Sequence, residues 1–128
     1  MVKRPIKAKK APGAIGPYSQ AIQTGKLIFC SGQIPIDTAT SELVGDDISA
    51  QTTKVLENIQ EVLSAAGCTL ANVVKATIFL IDLGDFATVN EVYAQFFSSP
   101  FPARSCIGVR ELPKNAKIEI EVVAVADD

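Results

Sequence analysis

The chain has 128 residues, 48% of them apolar, no tryptophan and a formal net charge of −2. That length accommodates one domain with a real core. No run is apolar for long enough to span a bilayer, and no charged-then-apolar leader resembles a secretion signal. Histidine is absent, which excludes Ser-His and Cys-His nucleophile systems, imidazole zinc sites and RNA cleavage by paired histidines.

Charge is uneven along the chain. Lys3, Arg4, Lys7, Lys9 and Lys10 crowd the start, and the first acid is Asp37. Residues 1–11 are therefore expected to form a solvated, flexible basic arm on a single domain spanning 1–128. Pro12-Gly13-Ala14-Ile15-Gly16-Pro17 reads as a loop rich in turn residues. Tyr18 to Gln23 reads as a strand, Thr24-Gly25-Lys26 as a turn and Leu27 to Ser31 as a second strand, together a hairpin. Ile34 to Gly45, with Pro35, Asp37, Thr38 and Ser41, reads as loop.

Asp46, Asp47 and Ser49 offer N-caps to a first helix. Its apolar stripe is Ile48, Thr52, Val55, Ile59, Val62, Leu63 and Ala66, and Gly67 supplies the stop. Val73 to Ile81 is β-branched and long enough for a central strand. Asp85 is placed to cap a second helix that buries Phe86, Val89, Val92, Tyr93, Phe96 and Phe97 and ends at Pro100. Arg104 to Val109 reads as a strand, Glu111 to Ala116 as a turn and Ile118 to Val125 as the last strand.

The order β-β-α-β-α-β-β predicts an α+β fold, a two-layer sandwich with both helices on one face of a single sheet. Neither β-β pair is expected to need a crossover. In the last strand Ile118, Ile120, Val122 and Ala124 point one way, and Glu119, Glu121, Val123 and Val125 the other. That second face is half apolar and has no helix left to cover it, so it is expected to pack against further copies of the chain.

Three cysteines, Cys30, Cys68 and Cys106, form no CxxC and read as free thiols in a reducing compartment. The expected location is cytoplasmic, ahead of a mitochondrion or plastid, with no membrane partner. Beyond the basic arm seven basic residues face fourteen acids, which weighs against nucleic acid as a partner.

Arg104 follows Pro100 and Pro102 and is presented by stiff backbone. A guanidinium so held suits a carboxylate ligand gripped by two parallel hydrogen bonds, or an ion pair with one of the chain's own acids. Taken singly, Tyr18, Ser31-Gly32, Cys106 and Glu119 each have a structural explanation: a strand aromatic, a turn, a small buried hydrophobe and a solvated sheet residue.

Taken together, Gly16-Pro17-Tyr18, Ser31-Gly32-Gln33-Ile34-Pro35, Val74-Lys75-Ala76-Thr77 with Asp82-Leu83, Asp85-Phe86-Ala87-Thr88-Val89-Asn90, Phe101-Pro102-Ala103-Arg104-Ser105-Cys106, and Leu112-Pro113 with Ile118-Glu119-Ile120-Glu121 resemble the RidA (YjgF/YER057c/UK114) family of reactive-intermediate deaminases. The resemblance runs from Ala11 to Ala126. It implies a chorismate-mutase-like fold with one mixed sheet, assembled as a homotrimer with clefts between subunits. It also implies cofactor-free, metal-free hydrolysis of enamines and imines such as 2-aminoacrylate, 2-iminopropanoate and 2-iminobutanoate to 2-keto acids and ammonia. By the same resemblance Arg104 holds the substrate carboxylate, while Glu119 and the main-chain carbonyl of Cys106 orient the attacking water. Tyr18 and Ser31 line the cleft, and Asn90 stands at its edge. The alternatives it carries are a regulatory or chaperone-like protein binding small keto acids and, less favoured, a translation inhibitor or ribonuclease. The short stretch Ser98-Ser99-Pro100, between Phe97 and Phe101, departs from many bacterial members and bears on substrate preference.

Overall fold

A computed structural model describes residues 2–128. Its main sheet has six strands: β1 (Arg4–Ile6), β2 (Ala21–Thr24), β3 (Leu27–Cys30), β6 (Val73–Leu80), β7 (Ala103–Gly108) and β8 (Ile118–Val125). Between β3 and β6 come a two-stranded hairpin, β4 (Ile36–Asp37) with β5 (Glu42–Leu43), and helix α1 (Ile48–Ala65). Helix α2 (Phe86–Phe96) joins β6 to β7. The spatial order is β1-β2-β3-β8-β6-β7. Only β6 and β7 pair in parallel, so the sheet is mixed.

This order explains why both helices share a face. β3, β6 and β7 run in one direction, and the chain steps from β3 to β6 and on to β7 toward the same edge. Right-handed crossovers taken in one direction put both helices on one side. Between helices and sheet lie Ile28, Ile59, Leu63, Ile78, Leu80, Ile118 and Ile120, all fully buried.

Helix α1 follows its sequence signals. The Asp47 side chain caps it by accepting from Ala50 N at 2.9 Å. Gly67 turns the chain away with φ at +75°, a value open to glycine at little steric cost. The buried face also carries two amides, Gln51 and Asn58. Asn58 Nδ2 donates to Ile36 O at 3.0 Å, and Gln51 Oε1 accepts from Lys117 N at 2.9 Å. Buried amides of this kind fix neighbouring loops rather than add apolar contact.

Six expectations need correction. The basic arm is not solvated: from Arg4 it pairs with β2, and Ile6, Ala8 and Ala11 are buried while the lysines point outward. Buried Gln20 holds it, with Oε1 accepting from Ala8 N at 2.7 Å and Nε2 donating to Pro12 O at 2.8 Å. That role takes residues 18–20 out of the strand, which begins only at Ala21. The loop at 34–45 contains the β4–β5 hairpin. Asp85 stands at the start of α2 without a capping bond, and Asp82 instead accepts from Gly84 N at 2.8 Å ahead of it. Phe86, on that first turn, is 38% exposed rather than buried. Finally, β7 and β8 are not neighbours; they flank β6, and the last connection passes across its end.

The face without helices is formed by the alternate residues. Leu27, Phe29 and Ile107 are exposed there, in register with Val125, Val123 and Phe79. Near its middle Lys75 Nζ donates to Thr77 Oγ1 at 3.1 Å and Ser105 Oγ at 3.4 Å.

Since Ile78 is wholly enclosed between sheet and helices, Ile78→Ala is expected to destabilise the fold by about 2–5 kcal/mol. A drop in the urea midpoint at unchanged m-value would register it.

Candidate functional site

Parallel pairing with β6 sets Arg104 opposite Ala76 and Cys106 opposite Ile78. Ala76 and Ile78 face the helices, so Arg104 and Cys106 do too, at the sheet's outer strand. Arg104 reaches α2, where its Cζ lies 4.8 Å from the Tyr93 ring centroid and 5.4 Å from that of Phe86. Tyr93 is fixed in turn by stacking on Phe97 at 4.3 Å. Two aromatic faces hold a guanidinium by its charge while leaving its N–H fork free. None of the ion pairs among the described residues involves Arg104; they join Lys26 to Asp128 and Lys54 to Glu57. The ion pair with an acid of its own chain is thus not made.

A cavity of about 390 Å³ opens over this cation, walled by Asn90, Tyr93, Ala94, Phe101, Pro102 and Arg104. Asn90 Oδ1 and the Tyr93 hydroxyl are buried without a hydrogen-bond partner among the described residues. Burial pushes the Tyr93 phenol up, and Arg104 partly offsets this. Cys106 behaves likewise: burial raises its thiol, with an opposing pull from Arg104. A thiol held up in this way is protonated at neutral pH, which suits packing and backbone roles rather than nucleophilic attack.

The remaining three sequence candidates gather elsewhere. Tyr18 is exposed, beside Gly32 and Gln33 in a groove of about 430 Å³. Its hydroxyl accepts from Ile15 N at 3.4 Å. The Ser31 hydroxyl donates to Ser19 O at 2.6 Å, which ties the segment before β2 to the end of β3. Glu119 on β8 pairs with Phe79, on the helix-free face, and its carboxyl lies against Gly32. Burial raises the Glu119 pKa, and Glu121 two residues along adds to the rise.

A single protomer therefore brings Arg104, Asn90 and Cys106 together, and separately Tyr18, Ser31 and Glu119. Arg104 and Glu119 lie on opposite faces of the same sheet. Sequence reading put Phe86 and Tyr93 in the core and gave them no part beside Arg104. The spacing of Asn90 and Tyr93, three residues apart on one helix face, is the signal that joins them. Phe101 and Gly32 were legible only as parts of motifs. Among the described residues no cluster of His, Cys, Asp and Glu is arranged to hold a metal, and no helix is long and apolar enough to cross a membrane.

The fold and these two residue groups define a class of protein: a small α+β chain with a free guanidinium at one sheet edge and a raised carboxyl on the opposite face. The family model described as endoribonuclease L-PSP matches residues 8–126. The chain is 49% identical over 125 residues to human 2-iminobutanoate/2-iminopropanoate deaminase, covering 98% of this chain and 91% of the human one. A Yersinia pestis member of the Rid protein family superposes with a TM-score of 0.95 at 48% identity, covering 98% of this chain and 100% of that one. Escherichia coli TdcF, crystallised with bound serine, superposes with a TM-score of 0.91 at 45% identity over 97% and 99% of the two chains. The chain belongs to the endoribonuclease L-PSP family, whose members include the RidA/Rid proteins.

The Glu119 carboxyl yields a pH prediction. A carboxyl whose pKa in the fold lies above its unfolded value stabilises the fold at acid pH, and that contribution is lost as pH rises through the raised value. Glu119→Gln is therefore expected to gain stability over the parent at neutral pH, with the gap closing as pH falls below the ordinary glutamate range. Parallel thermal melts across pH measure it.

Proposed function

We propose that this protein hydrolyses small 2-imino acids and their enamine tautomers, 2-aminoacrylate/2-iminopropanoate and 2-iminobutanoate, to the 2-keto acid and ammonia. The observation that carries the reading is Arg104: a cation without a carboxylate partner among the described residues, held between two rings at the wall of a cavity. A small α-carboxylate is the anion that such a fork matches. The name of the human relative and the serine bound to TdcF support the same ligand class.

The chemistry asks little of the protein. An imine carbon is already electrophilic, so a positioned water suffices. Arg104 holds the carboxylate. Glu119 accepts a proton from the water as its oxygen bonds to the imine carbon, and returns it to nitrogen. Collapse of the carbinolamine releases ammonia and leaves the keto acid. A carboxyl with a raised pKa is a better proton acceptor than an ordinary glutamate. Tyr18, Ser31 and Asn90 supply hydrogen bonds that orient the substrate, and the Cys106 backbone helps place the water. No metal or cofactor is required.

Each reaction site is shared between two copies, with Arg104, Asn90 and Cys106 from one and Tyr18, Ser31 and Glu119 from the next, in a homotrimer. Two features support this. Arg104 and Glu119 of one chain lie on opposite sheet faces, and the helix-free face presents Leu27, Phe29 and Ile107 to its surroundings. The endoribonuclease descriptions of the family model and of some similar solved structures favour RNA as substrate; the acidic body and absent histidines weigh against it.

Adding the protein to a serine or threonine dehydratase reaction is expected to suppress semicarbazide trapping of the free imine. Arg104→Lys should lower kcat/KM by about 10- to 100-fold, the effect of losing one charge-assisted hydrogen bond. Undiminished trapping with folded protein refutes the enzyme reading.

A mixing experiment addresses the shared site. Arg104→Ala and Glu119→Gln are each expected to retain only a small residual activity. Co-refolded one to one, they should regain roughly a quarter of parental activity, since random assembly in a cyclic oligomer leaves that share of clefts intact. A trimer mass by light scattering accompanies this outcome, and no recovery in mixed trimers contradicts sharing.

A further inference from the structure

Gly32 sits between the end of β3 and the β4–β5 hairpin, in a segment pinned to β8. Gln33 N donates to Ile120 O at 2.9 Å and Ile120 N to Gln33 O at 3.1 Å. This two-bond clamp fixes the backbone of residue 32 beside that of Glu119. Gly32 has no positive φ, so glycine is not required there for conformational freedom. What is particular to the position is space. A Cβ built on Gly32 would overlap Glu119 Oε2 outright, and would lie 2.8 Å from its Cδ and 3.0 Å from its Cγ. The carboxyl therefore occupies the volume that any other residue's side chain would fill.

We propose that Gly32 is a positioning residue for Glu119, its missing side chain forming the seat that holds the carboxyl against the backbone. The proposal rests on the reading of Glu119 as the group that moves the proton. The seat explains how a terminal carboxylate on an otherwise open strand face is held in one place. One wall is the clamped backbone of residues 31–33; Phe79 is the strand partner on β6, and the flanking charges on this face are Glu121 on the same strand and Lys75 on β6. The overlapping atoms belong to the mobile end of a side chain, so a methyl at position 32 displaces the carboxyl and leaves the backbone in place. The displaced group leaves this seat and moves away from the water that it orients. A misplacement on the order of 1 Å costs about 100-fold in rate.

The test is Gly32→Ala, alone and combined with Glu119→Gln. Carboxyl-carbon NMR titration of glutamate-labelled parent protein should contain one raised resonance, absent from Glu119→Gln. In Gly32→Ala that resonance is expected to return toward the ordinary glutamate range, and the thermal midpoint to stay close to the parent's. On imine substrate Gly32→Ala should lose about 100-fold in kcat, with the acid limb of its pH–rate profile moved down. In the Glu119→Gln background the same change should cost nothing further. An unmoved resonance, or an activity loss of equal size in both backgrounds, overturns the proposal. So does a Gly32→Ala chain that no longer folds while Gly32→Ala with Glu119→Ala also fails, because the steric demand then lies with the backbone. If the parent has no imine hydrolase activity, the proposed function fails, while the titration still decides whether Gly32 seats the carboxyl.

Discussion

The alternation along β8 is the constraint on which the rest depends. This strand lies inside the sheet between β3 and β6, and its even-numbered residues are completely or almost completely buried against the helices. A pleat has period two, so burying Ile118, Ile120, Val122 and Ala124 obliges Glu119 and Glu121 to project from the other face. A one-residue slip would drive both carboxylates into the apolar layer and expose four aliphatic side chains. The register is therefore strongly specified, and with it the position of the Glu119 carboxyl relative to everything else. The same logic acts through β6 on β7: pairing with Ala76 and Ile78 sends Arg104 and Cys106 to the helix side.

The consequence is a separation of charge and chemistry across the sheet. On one side a guanidinium lies over Tyr93 and Phe86, with a neutral thiol two residues along. On the other a carboxyl has its proton affinity raised by burial and by a like-charged neighbour. Placed side by side in one chain, cation and carboxylate would pair: the arginine would be occupied and the glutamate's pKa would fall. Within one chain the sheet keeps them apart, so the guanidinium has no carboxylate partner among the described residues and the carboxyl keeps its raised pKa.

Much of this was legible from the residues. The stripe beginning at Ile48, the β-branched run from Val73 and the pattern from Ile118 each follow from a single periodicity acting on a single element, and each forms as its pattern predicts. The arm failed as a prediction because its lysines drew attention away from Ile6, Ala8 and Ala11, whose burial depends on a glutamine at position 20. Gln20, Gln51 and Asn58 share this property. Their backbone partners are six or more residues distant in sequence, so no local pattern marks them. Adjacency of β7 and β8 failed for a related reason, since strand order depends on which strand fills the centre of the sheet. At the candidate site the residue types were readable in motifs, but the face on which each one lies became visible only with the pairing registers. The platform under Arg104 was hidden because Tyr93 and Phe86, taken alone, read as core.

The short first strand has a bearing on how this molecule meets its surroundings. An open sheet edge is a template onto which any extended chain can be added, and proteins blunt it with proline, lysine and brevity. β1 combines all three: three residues, Pro5 in the middle and basic side chains at its flanks, fastened from within by Gln20. It forecloses ribbon-like growth at that end of the sheet, while the broad helix-free face keeps its apolar side chains uncovered. Contacts between molecules are thereby steered away from the backbone at this edge and toward the side chains of that face, where shape and charge discriminate one partner from another.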